Sequence, residues 1–160
     1  MAEITPLNPQ SCFGHYFARA LLPAVRTELV KMSLKRLRAP DVPDFDKIVV
    51  RGVSGITFGA VLAHLLDKAL FIIRKSEEWS HSGSIVTGPR GGRYLIVDDF
   101  ISGGNTMRAI AEDMAAHDPG ATVVGVFLYR GGYMGGQMPQ ELSEIPIFTI
   151  NSKDIFNWER

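Results

Sequence analysis

"YLIVDDFISGGNT", Tyr94–Thr106, runs from apolar residues into two adjacent aspartates and then into a loop of small side chains. Tyr94–Val97 shows no polar alternation, which is the composition of a strand buried on both faces. After Asp98 and Asp99 come Phe100, Ile101, Ser102, Gly103, Gly104, Asn105 and Thr106, and helical periodicity runs over Asn105–Asp118 until Pro119 and Gly120 stop it. Gly103 and Gly104 permit a tight turn and a close approach of backbone to ligand. With Asn105 and Thr106 they form a nest of amides ahead of a helix dipole, an arrangement that favours phosphate. Ser102 and Thr106 add hydroxyl donors. A plain strand-to-helix turn capped by Ser102 or Asn105 would explain the glycines, but not the carboxylates. Each negative charge beside a phosphate repels it by about 1 kcal/mol or more at close range. The pair is tolerable where it faces hydroxyls or a magnesium ion on the same ligand, and a ribose 5-phosphate supplies such a diol.

Outward from this stretch the same strand–loop–helix rhythm recurs. Lys47–Val50 reads as a strand, "RGVSG" as a loop, and Ile56–Ala69 as a helix with Gly59 inside it. "LFII" is the next strand, followed by a polar, glycine-rich segment with a small "SIVTG" strand, then by "ATVVGVFLYR" and "IPIFTI" as later strands. Upstream, an irregular lead-in precedes a helical pattern from Phe13 to about Leu37, with Val25, Leu29 and Met32 on one face. Pro23 either kinks that pattern or starts a second helix at its first position, and Arg38–Asp46 is a turn-rich connection. Continuous apolar strands alternating with helices predict an α/β fold, a parallel sheet covered on both faces. Ligands of such sheets bind beyond the carboxyl ends of the strands, so the informative loops follow Val50, Ile73 and Val97.

The 160 residues suit one domain, 1–160. Lys+Arg and Asp+Glu both number 17, without the basic excess of a nucleic-acid binder. Cys12 is the only cysteine, so no internal disulfide forms. The first ten residues lack a signal-peptide pattern and no apolar run reaches a membrane span. A cytoplasmic protein without membrane or nucleic-acid partners is expected.

The run Leu95–Thr106 resembles, residue by residue, the phosphoribosyl pyrophosphate (PRPP) signature of the type I phosphoribosyltransferases, most closely the orotate-type members. Rival phosphate motifs are absent: there is no G-x-x-x-x-G-K-[ST], and "GVSGITFG" does not fit G-x-G-x-x-G. The resemblance implies a Rossmann-like phosphoribosyltransferase fold with a small N-terminal helical hood. It implies Asp98 and Asp99 in catalysis and on the ribose hydroxyls, and Ser102–Thr106 around the 5-phosphate, with Phe100 and Ile101 joining them in the ribose-5-phosphate site. Magnesium would be met by the two aspartates mainly through substrate and water. The loop after Val50 stands where this family keeps its pyrophosphate loop, which implies that role for Arg51, Gly52, Val53, Ser54 and Gly55. "IIRKSEEWSHSG" resembles the region of orotate-type members in which an Arg-Lys pair precedes a mobile basic loop with a histidine-glycine. Arg74 and Lys75 match and would bind pyrophosphate, with Lys75 and His81 also placed in catalysis. His81 comes one residue late, and Glu77, Glu78 and Trp79 stand where a lysine is expected. Tyr129 and Arg130 either approach the nucleobase or, for Tyr129, pack in the sheet, and "IFNW" (155–158) reads as a helix covering the core.

The implied reaction is PRPP plus a nucleobase giving a nucleotide and pyrophosphate, with magnesium, in a homodimer. Purine members often carry an acid at the position of Ser102. Its absence points to an orotate- or adenine-type base. The alternative is a PRPP- or nucleotide-binding regulatory or structural protein on the same fold, with little transferase activity. A receiver-like phosphoacceptor domain would need a lysine after a late strand, and "FLYR" has none.

Overall fold

A computed structural model of the protein describes residues 15–75, 83–130 and 138–150. Within them, α1 (His15–Ala18) and a 3-10 turn (Arg19–Leu21) lead into α2 (Pro23–Leu37). Pro23 occupies the start of α2, where its missing N–H has no helical partner to lose and its ring presets φ. The chain then alternates through β1 (Lys47–Arg51), α3 (Gly52–Leu65), β2 (Ala69–Ile73), β3 (Val86–Thr87), β4 (Arg93–Asp98), α4 (Asn105–His117), β5 (Thr122–Leu128), a 3-10 turn (Gln140–Leu142) and β6 (Ile147–Thr149).

The six strands form one sheet in the order β3-β2-β1-β4-β5-β6. All neighbours pair parallel except β2 and β3, which are antiparallel. The parallel α/β expectation therefore holds, with an antiparallel edge strand added. Alternate residues of the central strands supply two cores. Ile48, Val50, Leu95, Val97 and Phe127 pack under Phe58 and Leu62 of α3 and Leu29 and Leu37 of α2. Val49, Ile96, Val126 and Leu128 pack under Met107, Ile110 and Met114 of α4. Both faces being dry is why these strands carry no polar alternation. No helix among the described residues is long and apolar enough to cross a membrane.

One boundary differs from the sequence reading. "RGVSG" is not a loop: α3 starts at Gly52, directly after β1, and ends at Leu65 rather than Ala69. Two small residues allow this. Gly52 takes φ +72, which lets the chain turn from strand to helix in one step. Gly59 lets α3 lie on β1, since a Cβ there would overlap Val50 Cγ1 and lie 3.5 Å from Ile48 Cγ2. Gly125 makes equivalent room in β5, where a Cβ would fall 2.5 Å from the Phe148 ring.

The close α3–β1 contact gives the first prediction. Gly59→Val should lower stability by about 2–3 kcal/mol, because added carbons in a dense core force backbone and rotamer shifts. The urea midpoint of the ligand-free protein measures it, and an unchanged midpoint would show that α3 can retreat from the sheet.

Candidate active site

The chain leaves β1 toward β2 and later returns to lay β4 on the other side of β1. The carboxyl ends of β1 and β4 therefore flank the switch point of the sheet, the crevice in which open α/β sheets bind ligands. Each end runs into a helix without a side-chain cap: α3 begins after Arg51 in extended geometry, and α4 begins after Gly104 at φ 75. Neither Ser102 nor Asn105 caps α4, and Asn105 instead accepts a hydrogen bond from Arg108 at 3.3 Å. Among the described residues no side chain caps either helix N-terminus, and both open onto the same space.

That space is a cleft of about 460 Å³. Its walls bring together Arg51, Gly52, Val53 and Ser54 after β1, Lys75 after β2, and the whole run from Asp98 to Thr106 after β4. Three segments that are far apart in sequence meet there. Lys75 lies over the start of α3, its Cε 3.3 Å from where a Cβ on Gly52 would stand, so its ammonium group and that helix N-terminus address one region of the cleft.

Asp98 and Asp99 are 5% and 4% exposed. Asp98 Oδ1 accepts hydrogen bonds from Ser54 Oγ and from the Asp99 amide, both at 2.9 Å. Asp99 Oδ1 accepts from the Phe100 amide at 3.0 Å, while its buried Oδ2 accepts none among the described residues. Arg130 Nη1 stands 3.8 Å from that oxygen, beyond hydrogen-bond reach. Burial, and next the neighbouring Asp99 charge, push the Asp98 carboxyl up to about 7, against the opposing pull of the Asp99 amide and Ser54. The pair is a site of concentrated, under-compensated acceptors, suited to a ligand that brings hydroxyl donors or a cation.

Several expected residues stand elsewhere. Arg74 turns its guanidinium onto the β3 hairpin, donating to Thr87 Oγ1 at 3.2 Å and to the Ser84 carbonyl, so it braces the edge strand instead of lining the cleft. Gly55 faces the sheet, where a Cβ would come 3.0 Å from the Val97 carbonyl. Tyr129 is fully buried, stacked on Phe58 at 4.2 Å between ring centroids. It is a core residue, not a base contact, because its ring completes the α3 side of the sheet. Its hydroxyl still reaches the site indirectly, donating to the Ser54 carbonyl at 3.0 Å. Arg130 lies outside the cleft wall, over the Phe100 ring at 5.4 Å. Arg51 lines the cleft but is ion-paired with Asp113 of α4. Nothing in the local sequence marks Asp113, since only the fold brings α4 beside the end of β1; Met107, which also lines the cleft, directly follows the motif. His81, Glu77, Glu78, Trp79, Cys12, the lead-in and the "IFNW" helix lie outside the described residues.

A family model described as "Phosphoribosyl transferase domain" matches residues 44–158. The chain belongs to the phosphoribosyltransferase family. A curated relative, the hypoxanthine/guanine phosphoribosyltransferase of Methanopyrus kandleri, is 34% identical over 128 residues, covering 69% of this chain and 67% of that protein. Among solved structures, the orotate phosphoribosyltransferase of Aeropyrum pernix superposes with a TM-score of 0.58 at 22% identity, over 82% of this chain and 74% of that one. The adenine phosphoribosyltransferase of Thermoanaerobacter pseudethanolicus gives 0.57 at 21% identity, over 77% of each chain. The type I phosphoribosyltransferase fold and an enzyme of this class follow from these matches together.

The state of Asp98 in this phosphoribosyltransferase carries a stability consequence. Its folded-state value lies above the 3.8 of an ordinary aspartate, so the folded protein holds the proton where the unfolded chain has released it. The contribution of Asp98 therefore turns against folding as pH rises from 3.8 to about 7, and stays unfavourable above that. Asp98→Asn keeps the acceptor and removes the charge. It should stabilise the ligand-free protein at pH 8 by ~2 kcal/mol, a rise in Tm of about 5 °C, and the gain should vanish near pH 4. Thermal melts across that range check it, and a destabilised Asn variant at pH 8 would contradict it.

Proposed function

We propose that the protein transfers ribose 5-phosphate from PRPP to a nucleobase and releases pyrophosphate, with magnesium required. The observation that carries this reading is the joining of two uncapped helix N-termini and a buried carboxylate pair around one cleft. A ligand with a phosphate, a diol and a diphosphate satisfies all three, and a simple phosphate would leave the aspartates repelling it.

In this reading the amides of Ser102–Thr106 hold the 5-phosphate at the α4 N-terminus. Asp98 and Asp99 accept hydrogen bonds from the ribose hydroxyls and counter the positive charge that builds on the ring as the C1–oxygen bond loosens. The amides of Gly52–Ser54, with Lys75 and Arg51, take the charge building on the departing pyrophosphate. No covalent nucleophile is needed: the base nitrogen attacks C1 as the pyrophosphate oxygen leaves, and the positions of both are set by the two nests.

Among the described residues no group of three or more His, Cys, Asp or Glu gathers as a metal cage. The donor set nevertheless fits magnesium held mainly through substrate oxygens and water, since Asp98 and Asp99 are hard carboxylate donors with an unclaimed oxygen. Bound there, the ion would neutralise diphosphate charge.

Ser102 offers no acid to a purine ring nitrogen, which favours an orotate-type base, with an adenine-type base kept as the second reading. The name of the Methanopyrus kandleri relative brings hypoxanthine and guanine into the same comparison. A homodimer is favoured by the apolar side chains that α3 leaves outward, with Val61 and Leu65 at 36% and 43% exposed.

Calorimetric titration of PRPP with magnesium, followed by a pyrophosphate-release assay on orotate, uracil, adenine, hypoxanthine and guanine, tests the proposal. One base should turn over, and Asp98→Asn with Asp99→Asn should weaken PRPP binding by about 100-fold or more, the scale of two lost charge-assisted hydrogen-bonding groups. Unchanged PRPP affinity in the double variant would sink the ribose assignment. Binding without turnover on every base would favour the regulatory alternative.

A further inference from the structure

The Arg51–Asp113 pair has no part in the resemblance and is explained by no motif. Arg51 is the last residue of β1 and lines the cleft, while Asp113 stands on α4. Asp113 lies eight residues beyond Asn105, about 12 Å along the helix from the N-terminus that faces the cleft. Arg51 Nη1 donates to Asp113 Oδ2, so the guanidinium is drawn down the flank of α4 instead of up toward the start of α3. One of its five N–H donors is engaged by that bond. The two side chains are 16% and 21% exposed.

A second pair between the same elements shows what is unusual here. Lys47, at the other end of β1 and on the same face, pairs with Asp118 at the end of α4, with side chains 2% and 4% exposed. Lys47 also donates to the Pro89 carbonyl, and Asp118 accepts from the Gly91 amide. That pair is sealed and multiply bonded, as a permanent structural link is. The Arg51 pair is wetter and singly bonded, at the mouth of an anion site. Partly buried and held by one bond among the described residues, it can be exchanged for an anion that offers the guanidinium more charge and more acceptors.

We infer that Asp113 is a positioning residue that holds Arg51 back in the empty site and lowers its affinity for diphosphate. A diphosphate entering at the start of α3 competes with the Asp113 carboxylate for the guanidinium, and Asp113 reclaims Arg51 as pyrophosphate departs. The pair thus limits product retention. The inference rests on the reading of the turn from β1 into α3 as the pyrophosphate subsite.

Calorimetry with sodium pyrophosphate and magnesium, on wild type, Asp113→Asn, Arg51→Gln and the double variant, tests it. Asp113→Asn should bind pyrophosphate about fivefold more tightly, the effect of removing one nearby negative charge at intermediate dielectric. Arg51→Gln should bind more weakly, and the gain from Asp113→Asn should shrink in the Gln background. A merely structural role for Asp113 would leave affinity the same or reduced. Either result overturns the inference, as does an undiminished gain without Arg51. Wild-type affinity in Arg51→Gln would instead remove Arg51 from the pyrophosphate subsite, and the reading beneath the inference would fail with it. Asp113→Ser, measured identically with a circular-dichroism melt as the folding control, replaces the Asn variant should that one fail to fold.

Discussion

Two carboxylates held almost out of water at the end of a central strand govern the architecture around them. Asp98 and Asp99 repel each other and lose hydration, and burial drives Asp98 toward neutrality. The fold offsets part of this with three donors: the Ser54 hydroxyl and the Asp99 amide on Asp98, and the Phe100 amide on Asp99. It leaves Asp99 Oδ2 without a hydrogen bond among the described residues. A protein selected for stability alone would replace such a pair. Its retention makes sense where a ligand completes the acceptors, so the unfavourable term in the empty protein becomes binding energy in the loaded one.

The support for this pair comes from packing more than from charge. Ser54 reaches Asp98 because α3 starts at Gly52 with no intervening loop and lies close on the sheet at Gly55 and Gly59. Tyr129 anchors the same turn from inside, its ring on Phe58 and its hydroxyl on the Ser54 carbonyl. β5 extends the ladder past its own end, the Tyr129 and Arg130 amides donating to the Asp98 and Asp99 carbonyls at 3.2 and 3.0 Å. The backbone of the aspartate pair is therefore fixed by core contacts while its side chains face the cleft. Preorganisation of this kind lets polar groups act on a ligand without rearranging first.

The sequence exposes what depends on local order and hides what depends on which elements meet. The strand, aspartate pair and glycine loop of Tyr94–Thr106 are contiguous, so both the fold class and this wall of the cleft were legible there. Helix α3 was read four residues late, because glycines at 52 and 55 look like loop until φ +72 at Gly52 and the approach of Gly55 to Val97 are seen. Arg74 looked like an anion ligand through its neighbour Lys75, but adjacent residues at a strand end point in opposite directions. Lys75 lines the cleft, while Arg74 braces the β3 hairpin. Tyr129 could not be assigned to core or base from sequence, since its partner Phe58 is 71 residues away.

The two ion pairs between β1 and α4 show how one strand–helix interface can serve both permanence and exchange. Alternation puts Lys47, Val49 and Arg51 on the same face of β1, and Asp113 of α4 and Asp118 just past its end meet the two ends of that row. At the end away from the cleft, water is excluded, so breaking the Lys47 pair would strand a buried charge and the link stays closed. At the cleft end the pair is less deeply buried, and an incoming diphosphate offers the guanidinium more charge than Asp113 does. A cation–aspartate pair is thus a clamp at one end of the strand and a latch at the other, with a sealed lysine at the first and a less buried arginine beside the cleft at the second.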